Sequence, residues 1–444
     1  MTKKTSEMKR KSNGDHRLGE MVSFNLSTVC NAGKNATSVI LTPKCRGENL
    51  LPRTTTHGGG FSAHTKNDTP FWRFFRIYPE HYIRRVVVGV CFIMLTNIFL
   101  SSPVTAQQTA SSASVNLTYA VGADLSFLKQ AEDSGIVFKD NGEAQPALDI
   151  FRDHGYNWIR LRLFHSPGRL PNDLDYTIAL AKQAKSRGFT FLLDYHYADS
   201  WADPGKQPIP AAWKDLNADV LADSVYAYTR NTIQAFREAG VMPEMVQIGN
   251  EVRNGMLWPV GKLPEHWDEF ARLIEAGIDG VDAGRGQAPR PLIMIHYDNG
   301  ADPQGTRGFF DKLNTYHIRY DIIGLSYYPW WHGNLLELRA NLLSLVEHFD
   351  KDIILAEIAY NWKPSAYKNA PAPFPETPDG QRAFLEAVNQ TLLAVSSPKI
   401  KGIFWWEPAV MGGLRSRGFF DDDGNALPVI HVFDKYRRGR PGKE

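Results

Sequence analysis

The sequence predicts an α/β chain built as one (β/α)8 TIM barrel, and three observations predict it. From residue 118 onward eight short β-rich apolar runs recur, longer stretches of helical period separate them, and Val121-Gly122-Ala123-Asp124 at the close of the first run offers no G-x-G-x-x-G phosphate turn. Parallel strands need crossover helices, and eight of them close around an interior that side chains can fill. A doubly wound open sheet, the structural rival, usually has fewer strands and often carries the missing glycine turn.

Residues 119–122 form the first run and 145–154 the first helical stretch. The second run, 158–163, alternates so that Arg160 and Arg162 share one face. The helix expected over 175–187 stops at Gly188, the residue type that best tolerates the left-handed turn closing a helix. Run three, 190–194, precedes a helix over 215–239 that stops the same way at Gly240. Runs at 245–248, 292–296 and 322–326 alternate with helical stretches at 264–283, 306–316 and 335–349. The last two runs, 353–356 and 402–406, are followed by stretches at 379–395 and 428–437.

The formal charge of +2 conceals a split. Residues 1–106 carry 15 Lys+Arg against 6 Asp+Glu, leaving 35 against 42 of the chain totals of 50 and 48 for the rest. That mildly acidic remainder lacks the clustered basic face that nucleic acid needs, so no nucleic-acid partner is expected. Cys30, Cys45 and Cys91 are the three cysteines and all precede residue 107, which excludes disulfides and cysteine-based metal or nucleophile sites downstream. Arg84-Arg85, the apolar run 86–100 and Val104-Thr105-Ala106 together read as a signal peptide over 84–106, cleaved after Ala106 for secretion or periplasmic export. The run is short against the roughly 20 residues that span a bilayer, so a membrane is a partner only if 86–100 is retained as an anchor. Residues 1–83, polar and without apolar periodicity, read as a disordered extension or as sequence ahead of a translation start near 83–86. A linker over 107–117, the barrel domain over 118–437 and a polar tail over 438–444 complete the division, and a monomer is expected.

Barrels of this kind assemble their sites at the C-terminal ends of the strands. Run two supplies Arg160 and Arg162, run three Asp194, His196 and Tyr197, and run four Asn250 and Glu251. Run five supplies His296 and Asp298, run six Tyr327 and Tyr328, run seven Glu357, and run eight Trp405, Trp406 and Glu407. Paired carboxylates at strand ends are what hydrolysis of a glycosidic bond requires, one to protonate the leaving oxygen and one to attack or to activate water. Glu251, Glu357 and Glu407 compete for the two roles, with Asp194 and Asp298 behind them. Asn250 beside Glu251 could bind the hydroxyl next to the reacting carbon, which favours Glu251 as acid/base. Glu407, followed by Pro408, fits equally a substrate-binding carboxylate or a partner of Arg415 or Arg417. Trp201, Trp258, Trp330, Trp331 and Trp405 lie in or near strand-end loops, where flat rings can stack on the apolar faces of sugars.

Seven blocks carry a closer resemblance. They are Gly122-Ala123-Asp124-Leu125-Ser126, Trp158-Ile159-Arg160-Leu161-Arg162-Leu163, the stretch from Leu193-Asp194-Tyr195-His196 to Gly205-Lys206-Gln207, and Val246-Gln247-Ile248-Gly249-Asn250-Glu251 with its continuation to Trp258-Pro259. Gly324-Leu325-Ser326-Tyr327-Tyr328-Pro329-Trp330-Trp331, Ala356-Glu357-Ile358-Ala359-Tyr360 and Trp406-Glu407-Pro408-Ala409 follow. In order, and over 118–437, they resemble glycoside hydrolase family 53, the endo-β-1,4-galactanases acting on type I arabinogalactan. The resemblance implies a retaining enzyme with Glu251 as acid/base and Glu357 as nucleophile. It moves Glu407 to a supporting place among the substrate-binding residues, with Arg160, Arg162, Asp194, His196, Asn250, Trp201, Trp258, His296, Tyr327, Trp330, Trp331 and Trp405. Its substrate would be β-1,4-galactan, a pectin side chain. Some relatives bind calcium after the nucleophile strand, but residues 361–379 here lack a cluster of oxygen ligands, so no metal and no cofactor is expected. Val410-Met411 also departs from the family's Trp-Ile. The rival readings are a related retaining glycosidase acting on β-mannan or β-glucan, and a non-catalytic carbohydrate-binding barrel.

Overall fold

The computed structural model describes residues 117–364, 372–410 and 412–436, all inside the compact unit Val104–Glu444. The extension 1–83, the signal segment 84–106, nearly all of the linker and the tail 438–444 lie outside the described residues. No described helix is long and apolar enough to cross a membrane.

Eight parallel strands close into a barrel. We number them β1 (Ala120–Asp124), β2 (Trp158–Leu163), β3 (Thr190–Tyr195), β4 (Met245–Ile248), β5 (Leu292–Tyr297), β6 (Ile322–Tyr327), β7 (Asp352–Ile358) and β8 (Ile400–Trp406). Closure is made by β1, which pairs with β8 through Ala120 opposite Gly402 and with β2 through Gly122 opposite Trp158. Every expected run is therefore a barrel strand. Several extend one or two residues further, because strand pairing runs on through polar residues such as Asp124 and Glu357 instead of ending before them.

The helices are α1 (Leu128–Asp133), α2 (Ala147–Asp153), α3 (Leu174–Lys185), α4 (Ala218–Glu238), α5 (Trp267–Gly284), α6 (Pro303–Asn314), α7 (Leu335–His348) and α8 (Pro378–Leu393). Their starts follow local chemistry. Asp173, Asn217, Asp302, Asn334 and Thr377 each accept a bond from a backbone N–H of the first turn, and Asn334 with Glu337 forms a full capping box. Gly188 and Gly240, at φ of 86° and 73°, make the left-handed stops expected of them. The stretch 428–437 differs from expectation: Pro428–Tyr436 is a 3-10 helix, not an α-helix. Its buried residues Val429 with Val432 and Ile430 with Phe433 are spaced by three, the repeat of a 3-10 turn. The short helix α1 was not expected, since only Leu128 and Ala131 of its six residues are buried and no periodic stripe marks it.

Strand alternation divides the core in two. Ala120, Trp158, Leu192, Met245, Met294, Ile322, Ile354 and Phe404 fill the lower barrel interior, while outward residues such as Ile159, Leu193 and Ile323 join the larger core beneath the helices. The apolar interior plugs the barrel from below. Whatever is polar inside it must sit near the C-terminal ends of the strands.

Candidate active site

Above the apolar plug, the inward positions become charged. Arg160, on β2, lies at the centre with its Nη1 2.7 Å from Asp124 and 2.8 Å from Glu357 Oε1, and its Nη2 2.9 Å from Asp194. Its guanidinium also donates to the Gln247 side-chain oxygen and, at 3.0 Å, to Asn250 Oδ1. Arg162, two residues along the same face, pairs with Glu407 and Asp124 and lies against the rings of Trp201 and Phe127, 4.3 and 4.8 Å from their centroids. Two buried arginines thus face four carboxylates. Burial works against the Arg160 charge, but Asp194, Glu357 and Asp124 more than offset it and hold the group protonated. Burial likewise disfavours an ionised Asp194, yet Arg160 and His196 bring its pKa below the ordinary carboxylate value.

Glu357 sits just after an irregularity in β7. Leu355 pairs with Leu325, yet Glu357 pairs with Ser326, so Ala356 is an extra residue that re-aims the carboxylate. Glu357 Oε2 accepts a 2.8 Å bond from the Tyr328 hydroxyl while Oε1 meets Arg160. Burial raises its pKa, opposed by Arg160 and by that hydroxyl.

Glu251 follows β4 in the left-handed region, φ 49° and ψ 55°, a strained conformation for a non-glycine residue. Its pKa is pushed well above the ordinary range by burial first, then by the charges of Glu357 and Asp298. Among the described residues no arginine forms an ion pair with it, and Arg160 only partly opposes the rise. Its Oε1 is 2.7 Å from Ser326 Oγ, which in turn is 2.9 Å from His296 Nε2. His296 Nδ1 reaches Asn250 Oδ1 at 3.0 Å. Burial and Arg160 lower the His296 pKa well below its usual value, so the ring is neutral. Asn250 Oδ1 already accepts from Arg160 and Gln247, which assigns the His296 ring proton to Nδ1. The Ser326 hydroxyl donates to Glu251 Oε1, which opposes the rise in the Glu251 pKa without reversing it. Glu357, bonded by Arg160 and Tyr328, is the more readily ionised carboxyl and Glu251 the more readily protonated one.

Both carboxyls line a cleft of about 630 Å³, with Arg162, His196, Trp201, Trp331, Trp406 and Arg417 among its walls. A second compartment of about 590 Å³ adjoins it, sharing Asp203, Glu251, Tyr328 and Trp331 and adding Arg253, Asp298 and His332. Asp298 is held 3.1 Å from Arg253, and burial, only partly offset by that arginine, raises its pKa to about 6. Open on both sides of Glu251, the cleft can accept a chain across the two carboxyls.

The glycosyl hydrolase family 53 model matches residues 120–433, which is the whole barrel. This chain belongs to glycosyl hydrolase family 53. Among relatives, it is 37% identical over 311 residues to the probable arabinogalactan endo-β-1,4-galactanase A of Aspergillus terreus, covering 67% of this chain and 87% of that one. It is 34% identical over 343 residues to the arabinogalactan endo-β-1,4-galactanase of Thermothelomyces thermophilus, covering 72% and 99%. The Ignisphaera aggregans family 53 catalytic domain superposes with a TM-score of 0.68 at 31% identity, over 73% of this chain and 98% of that one. A structure from a study of two fungal β-1,4-galactanases gives 0.67 at 32%, over 72% and 99%.

Within this family 53 barrel the expected site residues divide. Arg160, Arg162, Asp194, His196, Trp201, Asn250, His296 and Trp331 are at or directly behind the cleft, with His196 3.1 Å from Asp194 and Trp331 53% exposed. Five expectations need correction. Tyr327 faces outward from β6, stacks on Phe384 of α8 and donates to the Gly333 carbonyl, because alternation points Ser326 inward instead. Trp405 faces outward too, 1% exposed, with its indole N–H on the Arg417 carbonyl; its neighbour Trp406 lines the cleft. Trp330 is buried against Tyr360, 5.4 Å between centroids, and Trp258 stands in a loop beside Lys262 with its N–H on the Asn254 carbonyl, neither of them a wall of the cleft. Glu407 is fully buried, and its partner is Arg162 and not the expected Arg415 or Arg417, since Arg162 shares its inward layer. Gln247, Ser326 and Arg417 were missed. Gln247 had a signal: in 245–248 the period of two places it inward after Met245. Of the stretch 361–379, residues 365–371 lie outside the described residues.

Proposed function

We propose that this family 53 glycosidase is an endo-β-1,4-galactanase that cleaves galactan and type I arabinogalactan with retention of anomeric configuration. The observation that carries the mechanism is the unequal setting of the two carboxyls: Glu357 is bonded by Arg160 and Tyr328, whereas Glu251 forms no ion pair among the described residues and has Glu357 and Asp298 as negative neighbours. Ionised Glu357 attacks the anomeric carbon, and Glu251 gives its proton to the departing glycosidic oxygen, so that a glycosyl-enzyme ester forms as the bond breaks. With its proton gone, Glu251 accepts one from an incoming water, whose oxygen attacks the same carbon and releases Glu357. Trp201 and Trp406 offer apolar faces to sugar rings, while His196, Asn250 and Arg417 offer polar contacts. The compartment holding Arg253 and Asp298, beyond Glu251, receives the leaving part of the chain, which suits attack on internal linkages.

The galactan assignment rests on the names of relatives at 34% and 37% identity. A polymeric substrate fits the export signal read over 84–106, and we propose secretion or periplasmic delivery of a monomer. Reducing-end release should be measured on β-1,4-galactan, β-mannan and β-glucan. Selective release from galactan is expected. Preference for mannan or glucan would replace the substrate, and no release from any of the three would favour a binding barrel.

A further inference from the structure

Away from the cleft, three side chains converge in a manner that glycoside hydrolysis does not use. His154 follows α2 and leads into the N-terminal end of β2, the end of the barrel opposite the carboxyls. It is 2% exposed, with Nδ1 2.6 Å from Asp434 Oδ1 and Nε2 3.2 Å from Asp140 Oδ2. His431 Nδ1 lies 3.0 Å from Asp434 Oδ2. Residues 431 and 434 are one turn apart on the 3-10 helix Pro428–Tyr436, so they present their side chains on one face.

We propose that His154, His431 and Asp434 bind a divalent transition metal ion of the zinc class, with Asp140 as the residue that orients His154. One ligand atom from each of the three lies within 4.8 Å of the others. Donors around a single zinc sit roughly 3 to 4 Å apart at bond lengths of about 2.0–2.2 Å, so only a small contraction closes the set. The ion takes the place of the proton between His154 Nδ1 and Asp434 Oδ1, and the neutral ring then carries its single proton on Nε2. Asp140 then accepts from Nε2–H, the carboxylate–histidine–metal arrangement that fixes the tautomer of a ligating ring. A groove of about 470 Å³, lined by His431 and Asp434 with Glu386 and Gln390, leaves the fourth position open to water. Two imidazoles and one carboxylate favour Zn²⁺, Co²⁺, Ni²⁺ or Cu²⁺ over Ca²⁺ and Mg²⁺, which prefer all-oxygen shells. The ligands come from the residue that follows α2 and from the 3-10 segment Pro428–Tyr436, so the ion would clip that segment to the loop leading into β2.

The test uses the full chain, purified without a histidine tag and stripped with a chelator, titrated with Zn²⁺ and with Co²⁺ by calorimetry and visible absorption. One equivalent should bind, the Co²⁺ spectrum should show ligand-field bands, and the melting temperature should rise. His431→Ala, at an exposed position that leaves the fold intact, should abolish all three while polysaccharide hydrolysis is unchanged. Asp140→Asn should weaken binding by roughly 10- to 100-fold. Absence of a stoichiometric site in the unmodified chain, or equal binding by both His431→Ala and Asp434→Asn, overturns the proposal.

Discussion

Replacing Tyr328 by Phe removes one oxygen and little else. The ring is 6% exposed and packs edge-on against Trp331, 5.6 Å between centroids, contacts that Phe retains. What is lost is the 2.8 Å bond to Glu357 Oε2. Burial and the neighbouring Glu357 push the Tyr328 pKa well above its ordinary value, so the hydroxyl keeps its proton, donates it to Glu357 and favours the ionised carboxylate. A hydrogen bond to a charged group contributes about 1.5–3 kcal/mol, which at about 1.36 kcal/mol per pH unit is roughly one to two units. Glu357 must be ionised to attack. With the bond gone its proton is lost only at higher pH, so the acid limb of kcat/KM against pH should move upward by that amount. The alkaline limb, governed by the proton on Glu251, should move much less. Hydrolysis of soluble galactan across pH 3–10 gives both limbs. An unmoved acid limb, or movement of the alkaline limb alone, would refute this assignment of Tyr328 and Glu357.

Asp298→Asn should do the opposite at the other limb: without the negative neighbour that raises the Glu251 pKa, Glu251 loses its proton earlier and the alkaline limb falls to lower pH. Adjacent tryptophans should separate cleanly. Trp405→Ala should lower unfolding free energy by about 3–5 kcal/mol in urea melts, whereas Trp406→Ala should raise KM with little change in stability. Glu357→Ala should abolish turnover, and azide should restore release of a glycosyl azide of inverted configuration; azide rescue of Glu251→Ala with that same inverted product would exchange the two roles.

The fold was legible because a barrel writes itself as repetition: eight apolar runs, each followed by helical period, need no long-range information to be counted. The site was legible in part. Arg160, Arg162 and Glu251 were found because strand ends and alternation place them, and the family resemblance paired Glu251 with Glu357. The errors fall where one residue decides the face. Tyr327 and Trp405 each neighbour an inward residue, and a strand end shifted by one position exchanges wall for core. The bulge at Ala356 that aims Glu357 is a property of strand pairing and leaves no local mark. The partner of Glu407 was likewise beyond reach, since Arg162 is distant in sequence and near only once β2 and β8 close around β1.

Glycosyl-enzyme trapping tests the division of roles between the carboxyls most directly. An activated 2-deoxy-2-fluoro β-galactobioside slows release of the intermediate, and peptide mass spectrometry then locates the sugar. Covalent label on Glu357, with Glu251 unlabelled, is the expected result. Label on Glu251 or Glu407, or first-formed products of inverted configuration by NMR, would contradict it.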